Sequence, residues 1–297
     1  MALLGPSLLF AARAALAQVP IEPTLTRGGG QLEAQAHFGV ATTPFDVTTL
    51  PEAKGQAFVL FVAGRYALSQ PLTLELQVPF VLGSVAQPAG SYVDTAALAN
   101  PQLGVQYRLL ERGSDKSALT LTSMLELGAP LASHATDLMP NRVLAIADGI
   151  EGRTHPEWFT PGVLPITAAA RLTWSSPPWS LMVELKFPLL VRVSEADLPS
   201  DMTSTHGVGF ATNVGGEARY RLSRKLSLAA ATHLFFDVAP VATHASGVSR
   251  VQDFERLSLH LHFGTRAALV FDLQTAIFGE LGGSMVAGGL RAGFNFR

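Results

Sequence analysis

The sequence predicts an all-β fold, an antiparallel up-and-down transmembrane β-barrel of about twelve strands. Three observations lead there. Apolar and polar residues alternate along most of the chain, and the connections between the alternating runs switch regularly between long and short. The composition is also too apolar for a soluble globule: mean hydropathy is +0.28, and 15% of residues are charged against about 25% in ordinary soluble domains. No window of about 18 residues lacks charged and strongly polar groups, as a spanning helix would require. The richest runs, "AFVLFVAG" before Arg65 and "LSLAAATHLFF" before Asp237, stop after roughly ten residues, the length of a tilted transmembrane strand.

At the N-terminus, Ala2 to Ala12 form a short apolar run, and "ALA" at Ala15, Leu16 and Ala17 has the small-x-small pattern of a cleavage site. Residues 1–17 are therefore expected to be a secretory signal peptide and residues 18–30 a flexible leader, with the barrel over 31–297. The "TRGGG" at Thr26 to Gly30 is no phosphate cradle, because no strand precedes it and no helix follows. With no cysteine in the chain, a lipid-anchored N-terminus, a disulfide framework and a thiolate metal site are excluded. A net charge of −2 leaves no obvious nucleic-acid surface. No cofactor is expected.

The strands follow in order. Leu32, Ala34, Ala36, Phe38 and Val40 oppose Glu33, Gln35 and His37. Phe58 to Leu68 is ambiguous, since Phe58, Leu60 and Val62 compete with Val59, Phe61 and Ala63. "LTLELQVPFVL" is clear: Leu72, Leu74, Leu76, Val78, Phe80 and Leu82 share one face, and Thr73, Glu75, Gln77 and Pro79 the other. Next, Leu103, Val105, Tyr107 and Leu109 oppose Gln102, Gln106 and Arg108. Leu119 to Leu127 and Ile166 to Trp174 come next. In "SLMVELKFPLLVRV", Leu181, Val183, Leu185, Phe187, Leu189, Val191 and Val193 oppose Ser180, Glu184, Lys186 and Arg192. A helix would bring Glu184 and Lys186 beside Leu181 and Leu185 on every face, so only a strand separates them. Phe210 to Leu222, Leu226 to Val238, Leu257 to Leu269, Leu273 to Leu281 and Val286 to Phe296 complete the set.

The connections alternate. Long "TTPFDVTTLPEAKG" is followed by short "SQP", long "GSVAQPAGSYVDTAALAN" by short "ERGSDKS", and very long "SHATDLMPNRVLAIADGIEGRTHPEWFTPG" by short "SSPP". Long "SEADLPSDMTSTHGVG", short "SRK" and long "APVATHASGVSRVQDFE" continue the series, which the connection near "LGGS" breaks. A transmembrane barrel has this asymmetry, with tight turns at one end and loops at the other. Within the longest loop, "LMPNRVLAIADGIEG" has the character of a short helix that could fold into the pore or lie over its mouth.

Unpaired backbone groups cost several kcal/mol in hydrocarbon, so the last strand is expected to close on the first. The final stretch "GLRAGFNFR" resembles the C-terminal β-signal read by the outer-membrane assembly machinery of Gram-negative bacteria, with Leu290, Phe294 and Phe296 in the signal positions and Arg297 one residue beyond the usual end. The resemblance implies outer-membrane lipid and that machinery as partners. More narrowly, "LSQPLTLELQVPFVLG" followed by "NPQLGVQYRLLERG" is similar to hairpins of the MetA-like outer-membrane family of phenol-degradation operons. That similarity implies a passive or facilitating channel for small, often aromatic, solutes.

An enzyme is the weaker reading. "THASGVS" places His244 and Ser246 in one loop, but no orienting acid or oxyanion site is legible, and no G-x-S-x-G, H-E-x-x-H or P-loop pattern occurs. His260 and His262 share a strand face at a spacing a metal pair could use; without a third ligand nearby, lumen lining is the better reading. The residues expected to face the lumen are Glu75, Arg108, Glu126, Arg171, Glu184, Lys186, Arg192, Glu217, Arg219, Arg221, His233, Asp237, His260, His262, Arg266, Glu280 and Arg291. Their mixed charge predicts either cross-lumen pairing or a narrow polar pore, and the arginines around Glu217 a mild preference for anions. A barrel that serves structure or adhesion without transport is the alternative.

Overall fold

The computed structural model describes residues 28–43, 53–87, 89–114, 117–132, 138–193, 207–239, 251–264, 266–279 and 281–296. The signal-peptide assignment, His244, Ser246, Glu280 and Arg297 lie outside them. Thirteen strands form one antiparallel sheet: β1 Gly30–Thr43, β2 Ala53–Ala67, β3 Leu72–Ala86, β4 Tyr92–Leu98, β5 Gln102–Ser114, β6 Ser117–Gly128, β7 Val163–Ser176, β8 Trp179–Arg192, β9 Val208–Arg221, β10 Leu226–Ala239, β11 Val251–Phe263, β12 Ala267–Thr275 and β13 Met285–Phe296. β1 pairs with β13 from Gly30↔Phe296 to Ala41↔Met285, and β2 pairs with β3. The sheet therefore closes into a barrel in which the first and last spanning strands satisfy each other's backbone groups, while among the described residues β4 pairs with β3 alone.

The barrel has twelve positions because β4 and β5 share one. The outer half of β3 pairs with β4 (Phe80↔Leu98 to Ala86↔Tyr92), and its inner half with β5 (Leu72↔Tyr107 to Gln77↔Gln102). The expectation of a long loop over "GSVAQPAGSYVDTAALAN" is thus corrected: it is a hairpin extension of β3, and the strand position is broken at Ala99–Pro101, where proline removes a ladder donor. Gly30 is already strand and Gly28 donates to the Ala67 carbonyl at 2.9 Å, so the leader's last residues join the wall.

A second correction concerns the last quarter. The expected strand Leu257–Leu269 is interrupted between Phe263 and Ala267, where β11 turns back into β12, and Leu273–Leu281 overruns β12, which ends at Thr275. The register Phe263↔Ala267 preserves odd–even parity, so Leu257, Leu261, Phe263, Phe271 and Leu273 keep one face across the reversal and the period alone cannot reveal it.

The alternation dictates the two surfaces. Leu76, Phe80, Leu103, Leu125, Leu185, Phe187, Leu273 and Leu290 point outward and are exposed, as lipid-facing residues are. Near the short turns the outward positions become aromatic: Tyr66, Tyr107, Trp174, Trp179 and Tyr220, with Trp179 edge-on to Tyr220 at 4.8 Å. Phe294 and Phe296 join this girdle, which has the character of a membrane-interface belt at the short-turn end.

Inside, the β6–β7 connection folds into the barrel as α1 (Leu138–Ile150) and α2 (Pro156–Phe159). Val143, Leu144, Ile146, Ala147 and Ile150 are fully buried against Val59, Phe61, Val81, Val85, Leu281 and Met285. This apolar cluster fills the loop-side half of the lumen and explains the ambiguity of β2: Phe58 and Val62 face lipid while Val59 and Phe61 face the helix. Gly83 permits the close approach, since a Cβ there would lie 2.5 Å from Val143 Cγ2.

Candidate functional site

Below the inward-folded segment lies a cavity of about 390 Å³ that runs to the short turns. Polar strand positions line it because each faces inward by the same parity that sends its leucine neighbours to lipid. Of the expected lumen residues, Glu75, Arg108, Glu126, Arg171, Glu184, Lys186, Glu217, Arg219, Arg221, His233 and Arg291 line this vestibule. His260 and His262 are buried beside it, with rings 6.2 Å apart and Ser227 Oγ 3.3 Å from His262 Nε2. Among the described residues no group of three or more His, Cys, Asp and Glu is placed to hold a metal ion. Arg192 and Asp237 lie near the loop ends of β8 and β10, away from the cavity. Arg266 is a correction: it lies exposed in the β11–β12 turn, where its carbonyl accepts from Asn295 N at 2.7 Å, so it does not face the lumen.

Most lining charges are paired, and strand register makes the pairs. Arg171 is directly opposite Glu184 and approaches it at 2.5 Å; Arg65 is opposite Glu75 at 2.9 Å. Glu75 also accepts from Gln77 at 2.8 Å and from Gln106. Glu217 lies 2.6 Å from Arg219 and 3.9 Å from Arg256, across the small Ala231. Arg291 approaches Glu33 at 3.8 Å and Asp272 at 3.6 Å, and Arg108 pairs with Glu111 at 2.6 Å. Asp272 accepts from Ser258 at 2.5 Å.

The ceiling of the vestibule is the end of the inward-folded segment. His155 stacks on Trp158 at 3.7 Å with planes 4° apart, and Trp158 lies 4.5 Å from Phe61. Wall amides satisfy this segment's carbonyls: Asn100 donates to Glu157 O at 3.1 Å and Thr160 O at 2.9 Å, Asn213 to Thr154 O at 3.0 Å, and Gln274 to Ile150 O at 3.2 Å. Asn100 also accepts from Ala132 N at 2.7 Å, so the break between β4 and β5 supplies an anchor for both ends of the segment.

Two charged contacts complete the attachment. His37 Nδ1 lies 2.6 Å from Glu151 Oε1, its ring lying over Gly289, which has no Cβ to block it. Lys186 binds the Glu157 carboxylate and lies 2.7 Å from His155 Nδ1. Burial alone would raise the Glu157 carboxyl, but the Lys186 ammonium and the His155 contact together outweigh it and hold the group below the usual carboxylate range. Burial and the same ammonium lower His155, so its neutral Nδ1 can accept from Lys186.

Sequence reasoning missed Arg65, Arg256, His155, Glu157 and Trp158. Arg65 sits in the two-sided strand β2, and Arg256 fell one residue outside an expected strand, although it shares parity with His260 and His262. The other three belong to a loop with no period to read.

No protein-family model matches the chain, and no curated protein does. Among solved structures, an outer membrane channel from Pseudomonas putida F1 superposes with a TM-score of 0.59 at 14% identity, over 94% of this chain and 100% of that one. The NanC porin superposes with a TM-score of 0.50 at 7% identity, over 90% and 99%. The chain has the fold of a bacterial outer-membrane barrel.

Proposed function

We propose that the chain is an outer-membrane channel for small solutes, with the charged vestibule as its conduction path. The observation that carries this reading is a cavity lined by many charged side chains and enclosed by a wall whose outer face is apolar. The resemblance to a channel and a porin supports it at the level of fold. Eight cationic side chains line the vestibule, Arg65, Arg108, Arg171, Lys186, Arg219, Arg221, Arg256 and Arg291, against six carboxylates, Glu33, Glu75, Glu126, Glu151, Glu184 and Glu217. That excess favours a mild preference for anions. Its size is limited because Glu157 and Asp272, just behind the lining, offset Lys186 and Arg291.

Catalysis has no part in this reading. Leu290, Phe294 and Phe296 face lipid on the closing strand, as a signal presented to the assembly machinery would require. Single-channel recording of refolded protein in planar bilayers tests the proposal. Steps of defined size support a channel. Persistent silence favours a barrel with a structural or adhesive role, a second reading that the apolar filling of the loop-side lumen favours.

A further inference from the structure

The inward-folded segment is held by two kinds of contact, and the polar kind becomes prominent after Gly152 and Arg153. Upstream, α1 is buried in the apolar cluster. Downstream, Trp158 and Phe159 still belong to that cluster, but residues 151–160 add a substantial set of polar attachments to the wall: His37, Asn213, Asn100 and Lys186 each bind them. Gly152 and Arg153 have φ of 65° and 57°. For Arg153 that left-handed backbone is strained, and a strained residue between two differently anchored pieces can absorb a rotation of one against the other.

Lys186 also has a second carboxylate nearby. Glu126 on β6 and Lys186 on β8 flank β7, Glu126 level with Thr167 and Lys186 level with Ala169, so only small side chains separate them on the lumen face. Both line the vestibule, and the Glu126 carboxylate is buried with a long 3.4 Å bond from Gln77. Withdrawing one partner from a buried ion pair is strongly unfavourable unless another takes its place. Here a replacement is built into the wall.

We propose that residues 151–160 are a gate and that Lys186 is its two-position latch, closed when it binds Glu157 and released when it binds Glu126. The proposal rests on the channel reading for its purpose, but its movement can be measured without conduction. Acrylamide dissolved in water reaches Trp158 through the lumen, and the chain has 3 tryptophans, so Trp174→Phe and Trp179→Phe leave Trp158 as the only reporter. In that background, refolded into lipid vesicles, Glu157→Gln is expected to raise acrylamide quenching severalfold and Glu126→Gln to lower it. The fraction of time spent open in bilayer recordings should move with the same opposite signs. Changes in the same direction, or quenching that neither substitution moves, overturn the latch. If Glu157→Gln does not fold, Glu126→Gln decides alone: a fall supports the latch, while a rise or no change overturns it. Silent bilayers with opposite quenching changes would remove the channel reading and keep the latch; clear conductance steps with unmoved quenching would do the reverse.

Discussion

Leu76→Arg tests the assignment of faces. Leu76 is 50% exposed, lies near the middle of the outward row from Leu72 to Leu82, and is level with Gly64 on β2 and Leu103 on β5. Its immediate neighbour Glu75 is buried on the opposite side against Arg65. A guanidinium at the bilayer midplane on the lipid face of a barrel costs about 2–4 kcal/mol, falling to about 0–1 kcal/mol near the interface. Leu68 is also outward and exposed but sits at the β2–β3 turn, so Leu68→Arg serves as the interfacial control. The expected difference between the two variants is about 2–3 kcal/mol, a large fraction of the stability of most proteins. Urea titration of protein refolded into phospholipid vesicles, followed by tryptophan fluorescence, measures both. Equal stabilities for the two variants, or a Leu76→Arg protein as stable as the parent, would refute the assignment of lipid and lumen faces.

Three further outcomes are expected. Ile146→Ala removes a fully buried side chain from the cluster around α1, at a cost of about 2–5 kcal/mol; hydrogen exchange should accelerate in α1 while the β1–β13 closure keeps its protection, and uniform loosening of both would argue against a separable plug. Burial lifts the Asp148 carboxyl to about 7 against the pull of Arg153. Because this group holds its proton more tightly in the folded state, its contribution is fully present below the ordinary carboxylate range and is lost as pH rises through 7. Asp148→Asn should therefore gain stability over the parent between pH 5 and pH 8 in thermal melts, and a constant difference would contradict the burial argument. Replacing Arg219 and Arg221 together with Gln should shift the reversal potential towards cations. Unchanged selectivity with a lower melting temperature would instead assign these arginines to bracing the wall through Glu217.

The sequence by itself determined the barrel, its twelve positions, most of its facing and the end at which it closes. Lipid and water are opposite environments separated by one strand thickness, so period-two alternation is a direct record of which residue meets which. Loop lengths recorded the two ends in the same way. Where both sides of a strand became apolar the record failed: β2 is covered by lipid on one face and by α1 on the other, so nothing in its residues distinguished Phe58 from Val59. The reversal between Phe263 and Ala267 was hidden because that register preserves parity. Eleven of the expected lumen residues line the vestibule, since each needed only its strand's parity. The ceiling needed more. His155, Glu157 and Trp158 come from a loop, and what places them beside Lys186 is the packing of α1 into the barrel and the bonds from Asn100 and Asn213, contacts between residues distant in sequence that no local pattern encodes.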